Sequence, residues 1–443
     1  MSKKIRDNLF IAFIVVFVIM TILMSLYASG YKFNLSWPLK FNRILQKTGM
    51  LIIDTVPKNA KISLNGKMQK NHSLGVFNKG YVTTPTKLKN ILPGEYTVRL
   101  ELDGYWPFEK KIGIYSGQTT FAENINLFRS NLPLLIAATK DFEMSISPSY
   151  KYIYLAISKK IINLKTYQEK TIPLANFSSG VWEEKEDKIF SAGVLFDVEK
   201  ETYTDYTKNI GENATKWCSS NIDKRLYYAN GDSLNRLETD GKTYTTILNG
   251  EDYLCYEPRN EELFFISKEN NKVFLKKYSI KTAEIKEKIE LPAIGNYDFI
   301  PSQQERLTLY DKQNKTLYLI NPSSFKDGIT IIRNIISWQW KSSDELIYNN
   351  NWEIQLLDLK QNKSILISRV SEEIKQILWH STNDYLIFST ISSFYAIDLK
   401  TGTITTVLQT ELVNSPILDE KSDTLYFYAK TEQGEGIYKL LLQ

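Results

Sequence analysis

The sequence predicts a mainly β protein in three parts: an N-terminal transmembrane helix, a small β-sandwich, and a β-propeller that fills the larger part of the chain. Three observations carry this. An uncharged apolar run covers Leu9 to Ala28, turn dipeptides punctuate short strand-like runs between Gly49 and Leu127, and a charged-x-Ile/Leu station returns eight times from Lys151 onward. The expected division is a cytoplasmic tail over 1–8, the helix over 9–28, a linker over 29–48, the sandwich over 49–128 and the propeller over 131–443.

The apolar run is interrupted only by Thr21 and Ser25. At a rise of about 1.5 Å per residue it reaches about 30 Å, the thickness of a hydrocarbon core. Lys3, Lys4 and Arg6 precede it, and Tyr27, Tyr31 and Trp37 follow, as an interfacial aromatic belt would. A cleaved signal peptide is the alternative, with Ala28-Ser29-Gly30 as the cleavage site. The run exceeds the roughly 7 to 15 residues of a signal core, so a retained anchor is expected. Lys32, Lys40, Arg43 and Lys47 on the far side leave the charge rule undecided about orientation.

Between Gly49 and Leu127, four short runs read as strands: Met50 to Asp54, Lys61 to Leu64, Tyr96 to Leu102 and Lys110 to Ile114. Asn65-Gly66, Pro93-Gly94 and Asp103-Gly104 separate them, and these dipeptides turn chains because glycine and asparagine tolerate positive φ. Several short strands in so little chain predict a sandwich.

This stretch resembles the PEGA domain, a bacterial and archaeal extracytoplasmic β-module. The stations that carry the resemblance are Pro57-Lys58-Asn59-Ala60, Leu64-Asn65-Gly66, Thr84-Pro85, Leu92-Pro93-Gly94-Glu95-Tyr96-Thr97-Val98 and Asp103-Gly104-Tyr105. The tetrapeptide keeps only its outer Pro and Ala, and the segment from Gly66 to Thr84 is longer than the family's usual turn, which implies an inserted loop. The resemblance implies a spacer or attachment module of the cell envelope, with no catalytic residues to carry over. With a single N-terminal signal-anchor, it implies a bacterial protein of the cytoplasmic membrane, N-terminus in the cytoplasm and bulk outside.

The repeat reads Lys151-x-Ile153, Asp187-x-Ile189, Lys224-x-Leu226, Glu261-x-Leu263, Glu305-x-Leu307, Asp344-x-Leu346, Asp384-x-Leu386 and Asp423-x-Leu425, at spacings of 36, 37, 37, 44, 39, 40 and 39 residues. Periods near 40 residues are those of four-stranded propeller blades. The seventh copy shows all four strands: Ile374 to Leu378, Tyr385 to Ser389, Phe394 to Leu399 and Thr403 to Leu408. Thr401-Gly402 lies at the last hairpin, as do Asp240-Gly241 and the glycine-free Gln361-Asn362 in other copies. Eight stations predict eight blades; seven is the alternative, because the second copy is short. The eighth copy ends on Ile437 to Leu442, a third strand without a fourth. The orphan run Leu132 to Ala138 is expected to supply it and close the ring. The Ile397-Asp398-Leu399-Lys400-Thr401-Gly402 strand and Ile146-Ser147-Pro148-Ser149 resemble blades of the prolyl oligopeptidase, dipeptidyl peptidase and tricorn protease propellers. That resemblance implies the fold alone, and no hydrolase domain is expected after the last repeat.

Composition narrows the function. Charged residues of both signs are interspersed, with a net charge of +5 and no basic block beyond the N-terminus, which argues against nucleic acid as a partner. The chain has two histidines, His72 and His380, in different predicted domains. No multi-histidine metal site, Gly-x-Ser-x-Gly elbow, phosphate loop or His-Glu-x-x-His motif is present, so no catalytic, cofactor-binding or metal residues are assigned. Cys218 and Cys255 stand eight residues before Leu226 and Leu263, at equivalent positions on neighbouring first strands, and are expected to be separate thiols. Asp358 and Asp398 recur at matching third-strand positions, which points to turn hydrogen bonds rather than a glycosidase pair.

Trp182, Trp217, Trp338, Trp340 and Trp379 fall on or near first strands, where bulk fills the gap between blades. Of these, Trp217, Trp338 and Trp379, with His380, are the candidate ligand contacts. The expectation is a binding platform whose propeller engages an envelope protein, peptide or glycan, held off the lipid bilayer by the sandwich and anchored through Leu9 to Ala28. An axial hydrolase or lyase and a structural surface-layer component are the alternatives.

Overall fold

The computed structural model describes residues 3–33, 44–70, 80–173, 177, 180–210, 214–219, 225–250, 253–259, 261–300, 306–326, 328–379, 385–399 and 402–443. The chain divides into two compact units. One is Met1–Asn131 with Ile397–Val407 and Leu442–Gln443; the other is Leu132–Ala396 with Leu408–Leu441.

In the first unit a helix runs over Lys3–Ala28. Its Arg6–Ala28 portion is the one helix among the described residues long and apolar enough to cross a membrane, and none of it is buried by protein. The Thr21 hydroxyl, the polar group nearest the middle, donates back to the Phe17 carbonyl at 2.8 Å, so it brings no unpaired polar atom into an apolar surrounding. The stretch expected to be a plain linker carries a two-stranded pairing, Tyr31–Phe33 against Leu45–Lys47.

Two sheets follow, face to face. One has Gly49–Val56 in its centre, antiparallel to Thr86–Ile91 and parallel to Thr119–Asn126; the other has the order Lys67–Met68, Lys61–Leu64, Gly94–Glu101, Phe108–Ile114. Their inner faces bury Leu51, Ile53, Ile62, Val98, Leu100, Ile114 and Ile125 in one cluster. Gly49–Val56 alternates buried and half-buried along its length, the period of two that a strand between two neighbours imposes. Thr86–Ile91 and Thr119–Asn126 are strands the sequence reading missed. The first offers only Leu88 and Ile91 as apolar residues, and the second exposes Phe121 while burying Ala122 and Ile125, so neither reads as an apolar strand in the sequence. Pro93-Gly94 is a corner where the chain changes sheets, since its flanking strands do not pair with each other.

In the rest of the chain, eight four-stranded antiparallel sheets follow in order among the described residues. Their first strands are Met144–Ile146, Val181–Trp182, Thr215–Ser219, Tyr253–Arg259, Tyr297–Phe299, Ser337–Trp340, Gln376–Trp379 and Leu412–Leu418. These are blades 1 to 8, so the count is eight rather than seven. The short second copy is a full blade, with strands of two and then four residues. The repeat station marks the start of each second strand: Ile153, Ile189, Leu263, Leu307, Leu346, Leu386 and Leu425 have no exposed surface. Fully burying each is worth about 1.5–3 kcal/mol, which explains why the station is the part of the repeat the sequence keeps. Fourth strands such as Glu169–Thr171 and Lys363–Arg369 are largely exposed, which explains why their pattern fades.

Blade 8 has the order Leu134–Ala138, Gly434–Leu441, Thr424–Thr431, Leu412–Leu418. The orphan run therefore supplies the missing strand, pairing Leu134 with Lys439 and Ala138 with Gly436. Ala137, Tyr426, Tyr428 and Ile437 of blade 8 share an apolar cluster with Ile153, Leu155 and Ile162 of blade 1, so the ring closes through packing as well as pairing. Turn chemistry follows expectation. Gly241 and Gly402 take φ of +67° and +68°, and Asn362 at the glycine-free turn takes +48°. Asp358 Oδ1 accepts from the backbone N–H of Lys360 and Gln361 at 2.8 and 3.0 Å, and Asp197 and Asp240 bond their own turns likewise.

Candidate functional site

First strands of successive blades approach one another around the axis, and between blades 2 and 5 they wall a chamber of about 580 Å³. Its wall combines Trp182, Phe190, Trp217, Leu254 and Phe299 with Glu183, Glu184, Lys216, Ser219, Asp298 and the thiols Cys218 and Cys255. The volume lies within the range of small-ligand sites.

Local structure explains how polar groups come to face it. The first strand of blade 3 has a bulge: Thr215 pairs with Ala229, but the next pair is Cys218 with Tyr227. Lys216 takes φ +49° there, a conformation that β-carbon sterics disfavour. The bulge is pinned to blade 4 from both sides. The Lys216 ammonium donates to the Tyr253 carbonyl, and the Tyr256 hydroxyl donates to the Lys216 carbonyl. A second bulge falls between Tyr253 and Cys255. Both cysteines thus sit beside bulges on neighbouring strands, and they are not joined in a disulfide.

Electrostatics in the chamber are set by burial. Desolvation pushes the Glu183 carboxyl above its ordinary value, and the Ser219 hydroxyl, donating to Oε2 at 3.5 Å, opposes this only in part. Burial likewise pushes the Cys255 thiol up to about 12, with Asp298 adding to the effect, so the sulfur stays protonated and weakly nucleophilic. Tyr256 is raised well above the usual phenol range by burial. Asp298 pairs with the Lys312 ammonium.

The raised carboxyl has a consequence for stability. A proton on Glu183 favours the folded state, so its contribution is fully present below the unfolded carboxylate pKa of about 4.3 and is lost as pH rises through the higher folded value. Glu183→Gln removes that loss. The variant is expected to melt above wild type at pH 7.5 and to match it near pH 4, which thermal denaturation at the two pH values checks. Equal melting temperatures at pH 7.5 would refute the assignment.

The sequence-predicted contacts are only partly brought together. Trp217 lines the chamber, packs on Tyr228 with ring centres 4.9 Å apart and meets Phe190 edge-on. A β-carbon placed on Gly193 would stand 2.7 Å from its ring, so this glycine leaves room for the indole. Trp338 instead packs against Tyr310 at 4.9 Å in the cluster joining blades 5 and 6. Trp379 lies half-buried on blade 7, its backbone N–H donating to Gln339 Oε1 at 2.8 Å. His380 lies outside the described residues, as does His72. The chamber groups that sequence reasoning missed are Glu183, Lys216 and Asp298. Their signal was a charge set against an aromatic residue on a first strand, as in Trp182-Glu183, Lys216-Trp217 and Tyr297-Asp298-Phe299.

Residues 48–127 match the PEGA domain family. The PEGA stations have a structural reason. Thr84 Oγ1 accepts from the Ala60 N–H at 3.0 Å and meets Thr55 Oγ1 at 2.5 Å, and Thr55 in turn donates to the Pro57 carbonyl at 2.6 Å, which ties the Pro57 to Ala60 segment to the Thr84-Pro85 station. Asn65 and Gly66, at φ +47° and +74°, turn the PEGA hairpin into Lys67–Met68. No curated protein matches the chain. Among solved structures, Porphyromonas gingivalis dipeptidyl peptidase 4 is similar at 10% identity over 67% of this chain and 57% of its own, with a TM-score of 0.48. An oligogalacturonate lyase in complex with manganese is similar at 13% identity over 56% of this chain and 82% of its own, with a TM-score of 0.36.

Proposed function

We propose that the protein is a single-pass, membrane-anchored component of the bacterial cell envelope whose propeller is an extracytoplasmic binding platform. The observation that carries this reading is the axial chamber. It is a walled, largely apolar site on a closed scaffold, and its thiol Cys255 is held in an unreactive protonated form. Rigid strands present the wall, so a ligand or partner segment pays little ordering cost on entering. The PEGA domain, which stands between anchor and propeller in the chain, is the spacer, and the partner is an envelope protein, peptide or glycan.

The test uses the full-length chain in its own membrane. A photo-crosslinking residue replacing Leu254, which lies on the chamber wall and is 40% exposed, is expected to trap a defined adduct from the extracytoplasmic side. Protease added outside the membrane is expected to cleave the propeller in intact cells treated to open the wall. Full protection, or absence of any adduct, overturns the platform reading.

One observation favours a second reading. Glu183, Glu184 and Asp298 face the same chamber, and a carboxyl with a raised pKa beside other carboxylates suits a general acid. On that reading the chamber is a hydrolase or lyase site, and turnover of a bound glycan or peptide that is lost in Glu183→Gln is the result that selects it.

A further inference from the structure

The apolar helix and the PEGA domain are joined without slack. Ser29 and Gly30, the two residues after the helix, still bond back to it: their N–H groups donate to the Ser25 and Tyr27 carbonyls at 2.9 and 3.0 Å. The Gly30 carbonyl then accepts both the N–H and the hydroxyl of the buried Thr48, each at 2.7 Å, and the Thr48 carbonyl accepts from the Gly117 N–H at 3.0 Å. A second tie runs from Asn90 Nδ2 to the Tyr27 hydroxyl at 3.5 Å. Strand register puts these contacts at one end of the sandwich, where Gly49 pairs with Ile91, Met50 with Thr119 and Gly94 with Ile114.

That junction limits how far the domain can stand from lipid, given the reading of the helix as a retained anchor. A span from Leu9 to Ala28 uses up the hydrocarbon core of about 30 Å, and each headgroup layer adds only about 5–7 Å. Ser29 and Gly30 reach about 7 Å even when fully extended. The tied end of the sandwich therefore lies in the headgroup layer. Its surface suits that place. Tyr115, 62% exposed, stands in the turn just before Gly117, and Phe33 and Leu45 are exposed and directly opposed, hence on one face of their hairpin. Residues 27–33, 44–50, 88–96 and 111–120 hold four exposed lysines, Lys32, Lys47, Lys89 and Lys111, against Glu95 as their one carboxylate.

We infer that the PEGA domain is seated by its helix-bearing end on the lipid headgroups of the leaflet in which the helix ends, with Tyr115 and the Phe33–Leu45 pair in the interfacial zone and Lys32, Lys47 and Lys89 on lipid phosphates. A tyrosine ring meets the acyl boundary while its hydroxyl stays wet, and an ammonium is drawn to an anionic surface. The bilayer thus holds this domain twice, through the span and through the seat, and the seat restricts the tilt that a loose linker would allow.

The experiment uses full-length protein in nanodiscs of phosphatidylethanolamine and phosphatidylglycerol, with a photo-crosslinking residue in place of Tyr115 or of Lys58. Lys58 is exposed just beyond the opposite end of the central strand Gly49–Val56, which rises about 23 Å. After irradiation the Tyr115 variant is expected to gain the mass of one phospholipid, and the Lys58 variant to do so at least tenfold less. Reversing charge with Lys32→Glu and Lys89→Glu is expected to lower the Tyr115 yield threefold or more. No lipid adduct at Tyr115 overturns the seat, and equal yields at the two sites overturn it in favour of a domain lying flat. An unchanged yield after charge reversal overturns the phosphate contacts. Sequencing the N-terminus of the same sample keeps this result apart from the anchor reading. An intact N-terminus without an adduct sinks the seat alone, whereas a chain that begins after Ala28 or Gly30 sinks the anchor and the seat with it.

Discussion

Replacing Ala137 with Asp is expected to open the propeller ring, at a cost of about 3 kcal/mol or more in stability. Ala137 is 5% exposed and sits in the cluster that joins blade 8 to blade 1, among Ile153, Leu155, Tyr426, Tyr428 and Ile437. A carboxylate there has apolar neighbours on every side, and its desolvation acts on the one strand that completes the last blade. When that strand leaves, the edge of Gly434–Leu441 loses its partner and becomes free to pair with other chains. Gly436→Val attacks the same pairing from the other side, since a β-carbon on Gly436 would collide with the Ala137 carbonyl oxygen. Both variants are expected to lower the midpoint of thermal denaturation, to be cut quickly by protease and to aggregate on mild warming. Leu132→Asp, at a residue 80% exposed just before the strand, is the control and should behave as wild type. The Ala137→Asp loss also carries a pH signature. A buried carboxyl has a raised folded pKa, so the charge part of the destabilisation shrinks as pH falls through that raised value and is gone once pH is below the unfolded value of about 3.9. Wild-type melting in both Ala137→Asp and Gly436→Val would mean that the strand is not what holds the ring shut.

Much of this architecture could be read in advance, and the reason is visible in single residues. The station Asp344-x-Leu346 repeats because Leu346 must reach the fully buried base of a second strand, and six of its seven counterparts are likewise without exposed surface. Gly402 and Asn362 stand where hairpins need positive φ. The orphan run Leu132 to Ala138 was legible as a closing strand because the chain otherwise left a third strand without its neighbour. What stayed hidden was hidden for physical reasons. Thr86–Ile91 has only Leu88 and Ile91 as apolar residues, and Thr119–Asn126 exposes Phe121 while burying Ala122 and Ile125 three positions apart, so neither sequence shows a clean period of two. The chamber escaped notice because it is assembled from short groups of two to five residues on each of four blades, far apart in sequence. Tryptophan was a usable pointer to Trp217 and a misleading one at Trp338, since both positions are first-strand tryptophans and only packing against Tyr310 sends the second between the blades. Bulges made the remaining difference: the Lys216 conformation, which no residue pattern announces, interrupts the regular pairing of blade 3 beside Cys218.

The second large effect concerns the apolar helix. Val18→Arg with Ile19→Arg puts two guanidinium groups at the middle of the span, each costing about 2.5–3.5 kcal/mol on a membrane-insertion scale. The helix Arg6–Ala28 has no protein packed around it to shelter such charges, and the mid-span position leaves the side chains too short to reach either interface fully. Wild-type protein carrying a C-terminal tag is expected to stay in the membrane pellet through alkaline carbonate washing, at its full length. The double variant is expected to lose at least nine-tenths of that pelleted material. Ser25→Arg is the matching control: it lies close to the end of the span, where a long side chain can snorkel to the interface, and should leave the pellet intact. The comparison also separates an anchor from a signal peptide, because both would fail to insert with two central arginines but only an anchor keeps its N-terminal residues in the mature wild-type chain. Sequencing the N-terminus of the pelleted protein therefore decides it: a start near Met1 upholds the anchor, and a start just after Ala28 or Gly30 would show that the helix is removed and that something else must hold the PEGA domain and propeller at the membrane.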